Sequence, residues 1–219
     1  MPRIDDEYIR RMEDVLDLYA EPFDPTRPVV CFDELPYRLR DHVRAPLPMA
    51  PGRTARVDYE YKRCGTCNLF VIVQPRACWR HVVVTARRTC QDFAHQMKAL
   101  VDVHFPKAAK IRVVLDNLNT HTPAALYGTF DAAEAERILT KLEFHYTPKH
   151  GSWLNMAEIE ISVLAGQCLD QRLPTLEAVD HQVAAWERTR NQHGIGINWR
   201  FNKHDARVEC PELYLSLSE

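Results

Sequence analysis

A short apolar segment that stops at an acid places the strongest constraint on this chain. Residues 111–115 read IRVVL and are followed at once by Asp116. The branched aliphatic side chains of Ile111, Val113, Val114 and Leu115 favour a strand, and a strand this apolar belongs in the middle of a sheet. A carboxylate at the end of such a strand costs desolvation unless a cation or hydrogen-bond donors meet it. The simpler alternative is that Asp116 only starts a turn.

A second apolar segment ends in the same way. Residues 29–33 read VVCFD and end at Asp33. If the two strands are neighbours, the carboxylates of Asp33 and Asp116 lie side by side, and their repulsion calls for a cation between them. Hard oxygen ligands of this kind suit magnesium or manganese. Taken alone, either aspartate is better explained by its local role, Asp116 as the start of a turn and Asp33 as the cap of a loop.

The order of predicted elements indicates one α/β domain with an open mixed sheet covered by helices. The predicted strands cover about residues 29–34, 56–63, 68–75, 111–115 and 143–148. In this prediction the sequence CGTC at 64–67 is the turn of a hairpin. The predicted helices cover about residues 1–20, 90–105, 131–142, 152–170 and 175–191, and Thr89 is the expected N-cap of the second.

Composition narrows the class of protein. With 219 residues and 46% apolar content the chain can bury a full core. No apolar run approaches the roughly 18 residues that cross a bilayer, and the polar, acidic N-terminus does not resemble a signal sequence. We therefore expect an intracellular protein with no membrane partner. Seven scattered cysteines, an odd number, favour reduced thiols over a disulfide framework.

Charge is divided unevenly along the chain. The net charge is −6 over residues 1–34, +10 over residues 35–115 and −6 over residues 116–219. A basic segment inside a nearly neutral protein suggests contact with a polyanion, because phosphate contacts release counterions. The alternative is an ordinary solvated surface.

A two-metal site usually needs a third acid, and the segment 151–170 offers two. Two apolar stripes run along this predicted helix, so it is packed on two sides. Glu158 lies in the broader sector between the stripes and Glu160 in the other. Periodicity alone does not decide which of the two faces the strand ends.

Three ordered blocks resemble the catalytic blocks of DDE transposases of the mariner-like superfamily, specifically the bacterial insertion-sequence branch named IS-six-thirty. They are CFDE (31–34), VVLDNLNTH (113–121) and YTPKHGSWLNMAEIE (146–160), within a resemblance that covers roughly residues 12–210. The resemblance implies a ribonuclease H-like α/β fold, a mixed five-stranded sheet flanked by helices. It also implies Glu158 as the third acid, because the family pattern Leu-Asn-x-x-Glu matches Leu154, Asn155 and Glu158.

The resemblance implies a function as well. Asp33, Asp116 and Glu158 would be both catalytic residues and ligands of two Mg²⁺ or Mn²⁺ ions. The chain would cleave double-stranded DNA at transposon ends and transfer the 3′-hydroxyl into target DNA. The residues expected to support the site or contact DNA are Asn117, His121, Lys149, His150, Trp153 and Asn155. The alternatives are a turn asparagine for Asn117, a packed loop histidine for His121 and a core residue for Trp153.

The expected organisation has three parts: an N-terminal helix and linker (1–28), the DDE catalytic domain (29–192) and a C-terminal tail that packs on the domain or on a partner (193–219). Family members carry a helix-turn-helix region ahead of the catalytic domain, whereas about 28 residues precede the first predicted strand. We expect recognition of element ends to be absent, removed or supplied by a separate helix-turn-helix chain. Pairing two ends favours a homodimer, and the expected location is the bacterial cytoplasm, at the nucleoid when DNA is bound.

Two other functions remain open at this stage. One is a ribonuclease H-like nuclease that hydrolyses DNA without joining it. The other is a transposon-derived module that binds DNA or a partner and has lost catalysis.

Overall fold

The computed structural model describes residues 5–215, so residues 1–4 of the predicted N-terminal helix and residues 216–219 of the predicted tail lie outside the described part. The strands are β1 (Val29–His42), β2 (Tyr61–Gln74), β3 (Trp79–Thr85), β4 (Ile111–Leu115) and β5 (Leu142–Tyr146). The helices are α1 (Asp6–Ala20), α2 (Cys90–Ala99), α3 (Pro123–Tyr127), α4 (Ala132–Lys141), α5 (Met156–Leu164), α6 (Leu176–Gln192), α7 (Lys203–Glu209) and α8 (Glu212–Leu215).

The predicted mixed five-stranded sheet is confirmed, with the order β3-β2-β1-β4-β5. β1 and β2 pair antiparallel, as do β2 and β3, whereas β4 is parallel to both β1 and β5. β4 is therefore internal, as its four apolar residues predict, and every one of its residues is buried, Arg112 included. The predicted neighbour relation between the first strand and residues 111–115 is also present.

Three details of the strand prediction were wrong. β1 does not stop at Asp33 but continues to His42, paired with β2 along its length. The sequence CGTC is not a hairpin turn, since β2 runs straight through it. Gly65 there has a φ of 109°, and the register shifts opposite it between Leu39 and Arg40, so the glycine serves a bulge rather than a turn. β3 was not predicted at all.

Helices cover both faces of the sheet. Because side chains alternate along a strand, Val30 and Phe32 of β1 pack with α2, α3 and α4 on one face. Tyr37 and Leu39 point to the other face, where α5 and α6 pack. Each of α5 and α2 is extended by a π turn, Ala165–Leu169 and Leu100–His104. On this second face α5 packs against β1 and β2.

The N-terminal helix is an integral part of the core. The predicted apolar stripe of α1 is buried against Cys31, Val114 and Leu154. On its outer side Lys203 of α7 lies 3.0 Å from both Glu13 and Asp17, so the tail packs back on the domain through α1. None of the helices in residues 5–215 is long and apolar enough to cross a membrane.

Candidate carboxylate site at the sheet edge

The parallel pairing of β1 and β4 brings two aspartates together. The last paired residues are Cys31 and Val114, and two residues further along each strand are Asp33 and Asp116. Extending the register therefore places the two acids opposite each other. Asp33 lies inside β1, and Asp116 follows β4 directly.

The start of α5 is attached to the same part of β1. Asn155 is the N-cap of α5, where its side chain accepts a hydrogen bond from the N–H of Ala157 at 3.1 Å. Its Nδ2 donates to the carbonyl of Phe32 at 2.9 Å and to Oδ2 of Asp33 at 3.1 Å. This one buried side chain caps α5 and fixes the start of the helix on β1. Glu158 lies in the first turn of α5 and is thereby held near Asp33.

Asp33 is within electrostatic reach of the other two acids. Burial, together with the negative charges of Glu158, Asp116 and Glu34, raises the pKa of Asp33 to about 7, although the Glu34 N–H donates to its Oδ1 at 2.8 Å. Asp33, Asp116 and Glu158 are called the carboxylate site below. Their mutual repulsion in the metal-free protein is the property that a bound cation would relieve.

His121 lies behind the carboxylate site, between two acids. Its Nδ1 is 2.6 Å from Oδ1 of Asp116, and its Nε2 is 2.9 Å from Oε1 of Glu34. The ring is fully buried and also packs edge-on against Phe32 at a centroid distance of 5.3 Å. His121 is thus a central buried link between β1 and the segment after β4, rather than a histidine packed only among apolar side chains.

The charges of this link follow from its hydrogen bonds. Burial would lower the pKa of His121, but the hydrogen bonds to Asp116 and Glu34 raise the pKa to about 9. Burial would likewise raise the pKa of Asp116, yet the contact with His121 lowers that pKa below its usual value. At neutral pH His121 is therefore an imidazolium that holds an ionised Asp116.

Glu34 is a site residue that sequence reasoning missed. Its side chain is only 5% exposed, and besides His121 it has Arg88 as a partner, with Nη1 3.7 Å from its Oε2. The alternation of side chains along β1 could have indicated this role, because it places Glu34 on the same inward face as Val30 and Phe32. An acid on an inward face needs partners. Arg88 is half exposed and contacts this acid.

Glu160 points away from the carboxylate site and is fully buried. Its Oε1 lies 2.7 Å from Nε of Arg190 on α6 and 2.8 Å from Nε of Arg80 on β3. These two arginines pair with the only charge that Glu160 carries, so its contacts explain it as a structural residue. The structure thus separates the two glutamates that periodicity left open.

The remaining predicted residues lie around a groove beside Asp116. Asn117, Lys149 and His150 line it together with Leu118, Thr147, Pro148 and Ser152. Asn117 accepts a hydrogen bond from Arg11 and donates to the carbonyl of Thr147 at 2.6 Å. Trp153 does not line the groove: it is 43% exposed and packs edge-on against Phe201.

The fit to divalent ions can be tested on the donor set. Carboxylate oxygens are the ligands that Mg²⁺ and Mn²⁺ prefer, and burial together with the charges of Glu158 and Asp116 raises the pKa of Asp33, a shift that a bound cation would reverse. Within residues 5–215, however, no three His, Cys, Asp or Glu side chains are close enough to form a ready-made metal cluster. The residues fit the ions chemically, and binding requires the carboxylates to approach one another.

Replacing Asp33 by asparagine is expected to stabilise the metal-free protein. A folded-state pKa of about 7, above the unfolded value of about 3.9, means that folding is penalised increasingly as the pH rises from 4 to 7. Asp33→Asn removes this penalty but disturbs the hydrogen bond from Asn155. The net gain at pH 8 in EDTA is on the order of 1–3 kcal/mol in unfolding free energy, measured by denaturant titration, and it shrinks toward pH 4.

The matched control is Asp116→Asn, which should have the opposite effect. That substitution removes the ionised partner of the buried His121 and is expected to destabilise the protein under the same conditions. A gain for Asp33→Asn that does not vary with pH, or an equal gain for both variants, would contradict this electrostatic description.

Solved structures with the same architecture support the fold assignment. The chain superposes on the Mos1 strand transfer complex with a TM-score of 0.58 and 14% identity, covering 100% of this chain and 64% of that one. The Mos1 mariner paired end complex with Mn superposes with a TM-score of 0.56 and 15% identity, covering 88% of this chain and 60% of that one. The chain thus spans less than two thirds of these structures. They identify the fold as ribonuclease H-like, the fold of Mos1 transposase.

The sequence itself identifies the family. The family model described as DDE superfamily endonuclease matches residues 28–180, which contain all three acids of the carboxylate site. The chain therefore belongs to the DDE superfamily endonucleases. A comparison with curated proteins finds no significant match.

Proposed function

We propose that this chain is the catalytic domain of a DNA transposase that cleaves the ends of its element and joins the freed 3′-hydroxyl to target DNA. The observation that supports the proposal is that β1 and β4 are parallel neighbours, which brings Asp33 and Asp116 to the same edge of the sheet, while the charge of Glu158 on α5 acts on Asp33. The neighbouring folds are named as paired end complexes with Mn and with Mg and as a strand transfer complex, which supports the same chemistry here. The order and the amino-acid sequences of the three motif blocks favour the IS-six-thirty branch.

Asp33, Asp116 and Glu158 would hold the divalent cations, two Mg²⁺ or Mn²⁺ ions in this proposal. When bound, such ions lower the pKa of an attacking water or 3′-hydroxyl and stabilise the leaving oxygen of a phosphoryl transfer. Asn155 keeps Asp33 oriented through its Nδ2, and His121 keeps Asp116 ionised and oriented. The protein's own contribution is therefore to hold Asp33 and Asp116 in place and to keep Asp116 ionised.

The groove beside Asp116 is the proposed path of the scissile strand. Lys149 and His150 are exposed in its wall, where a cation and a ring N–H can contact phosphates. Trp153 has an exposed face that can stack on a base just outside it. The net charge of +10 in residues 35–115 supports a DNA partner, and pairing two ends favours a homodimer.

Two alternatives use the same residues differently. A nuclease would share the carboxylate site but release the cleaved strand without joining it. A binding module would keep the basic surface and have no use for the acids. The three acids in one environment, with Asn155 and His121 supporting them, favour catalysis over the second alternative.

A strand-transfer assay distinguishes the three functions. The protein is incubated with pre-cut duplexes that carry the terminal repeats of its own element, a supercoiled target plasmid and Mn²⁺, with EDTA as the control. Joined products are expected, and Asp116→Ala is expected to abolish them. Hydrolysis without joining would support the nuclease. DNA binding without either product, unchanged by Asp116→Ala, would overturn the proposal in favour of the binding module.

A further inference from the structure

A second cluster of cationic side chains lies at the far end of β1 from the carboxylate site. A cavity there is lined by Arg40, His42, Asp170 and Arg172, together with Pro46, Val57 and Gln171. Arg40 and His42 are at the end of β1, and Arg172 follows the π turn that extends α5. Arg40, His42 and Arg172 are called the arginine pocket below.

The two guanidinium groups of the arginine pocket have no counter-charge. In the part of the chain that the structure describes, neither Arg40 nor Arg172 has a carboxylate oxygen within 4.0 Å, although most buried arginines elsewhere do. Asp170 lies at the rim, is exposed and pairs with neither. Both arginines are half-buried, and a partly desolvated cation without an anion is unfavourable.

The pocket also presents unused hydrogen-bond donors. Nε of Arg40 is buried and has no hydrogen-bond partner among the described residues. Nη1 of Arg172 lies 3.0 Å from Nδ1 of His42, and a guanidinium can only donate, so Nδ1 accepts and the proton of the imidazole is on Nε2. Nη2 of Arg172 donates to the carbonyl of Asp58, and the guanidinium of Arg40 lies over the ring of Tyr61, 5.8 Å from its centroid. The remaining N–H groups of the two arginines and Nε2–H of His42 thus supply donors and two positive charges to one cavity.

Donors and charges of this kind match a phosphate group. Arginine binds phosphate through two parallel N–H donors, and such charge-assisted bonds are among the strongest that proteins make. We infer that the arginine pocket binds a backbone phosphate of the DNA at a distance from the scissile bond, an inference that rests on the proposed function. The ligand chemistry is a phosphate anion held by Arg40 and Arg172, with Nε2–H of His42 as a further donor.

Two measures of the spacing agree. Asp33 and Arg40 are seven residues apart on β1, about 23 Å at 3.3 Å per residue. Glu158 and Asp170 are twelve residues apart along α5 and its extension, about 18 Å at 1.5 Å per residue. A separation of about 20 Å corresponds to roughly six nucleotides of one strand at 3.4 Å each. The pocket would therefore contact duplex about six base pairs from the carboxylate site.

Binding of duplexes of two lengths tests this inference. Wild type and the double variant Arg40→Gln/Arg172→Gln are titrated in Ca²⁺ with element-end duplexes that extend about 4 or about 12 base pairs beyond the cleavage site. The variant should bind the long duplex roughly 10- to 100-fold more weakly, with a salt slope smaller by about 1 to 2, and the short duplex unchanged. Arg188→Gln, which removes an exposed charge from α6, is the matched control and should bind both like the wild type.

Melting temperatures of the variants are measured alongside, and Arg40→Gln alone replaces the double variant if the latter does not fold. A folded variant that binds the long duplex like the wild type overturns the inference. If the wild type binds no duplex, the proposed function fails. The melting temperature is then measured with and without inorganic phosphate. A phosphate-dependent rise in the wild type that is absent in the variant would mean that the pocket binds a free anion, which overturns the DNA contact.

Discussion

Glu158→Gln is expected to reduce metal-dependent strand cleavage roughly a thousandfold, about 4 kcal/mol of activation free energy. The substitution keeps the shape of the side chain but removes the carboxylate that α5 contributes to the carboxylate site. Glu158 is only partly buried and takes part in no ion pair among the described residues, so the melting temperature should stay within about 2 °C of the wild type. Initial rates in Mn²⁺ and differential scanning calorimetry measure the two quantities.

Ser162→Ala, one turn further along α5, is the control for a change in the same helix and should cleave like the wild type. Rates of Glu158→Gln within tenfold of the wild type would remove Glu158 from the site. A large loss of stability would instead show that the carboxylate has a structural role that the geometry does not explain.

Glu160→Gln is expected to have the opposite profile. A neutral amide would leave the buried guanidinium groups of Arg80 and Arg190 without their shared anion, and breaking such a pair costs about 3–5 kcal/mol. In a chain of this length the melting temperature should fall by about 10 °C. Cleavage by the fraction that remains folded, assayed well below the transition, should stay close to that of the wild type.

The control for this variant is Asp180→Asn, which neutralises an exposed acid on α6 and should change stability by less than about 0.5 kcal/mol. If Glu160→Gln is as stable as the wild type, the ion pairs are not the reason for this buried glutamate. The assignment of Glu160 to stability and of Glu158 to the carboxylate site would then lose its basis.

The parts of the fold that depend on local pattern were predictable. Residues 111–115 form β4 because a strand with so many branched apolar residues is internal, and Thr89 is the N-cap of α2 as its sequence predicts, completed by a capping box with Asp92. The adjacency of Asp33 and Asp116 followed from one assumption, that the two strands pair. Local composition was sufficient in these places because no distant residue alters the outcome.

The prediction failed where distant residues decide the structure. β3 was missed because its buried residue Arg80 breaks the apolar pattern, and its partner Glu160 is 80 residues away. The glycine at position 65 indicated a turn, whereas pairing with the long β1 keeps it inside β2. Periodicity could not separate Glu158 from Glu160, because the partners of Glu160, Arg80 and Arg190, belong to other elements; only the family resemblance pointed to Glu158.

The central claim is that Asp33, Asp116 and Glu158 together hold divalent metal. A crystal structure of the protein soaked in Mn²⁺, with anomalous data collected near the manganese edge, tests it most directly. The account predicts anomalous peaks within about 2.5 Å of oxygens from all three carboxylates, with the side chains drawn closer than in the metal-free protein. Manganese bound elsewhere, or a Glu158 carboxylate that stays outside the coordination sphere of a metal held by the two aspartates, would contradict it.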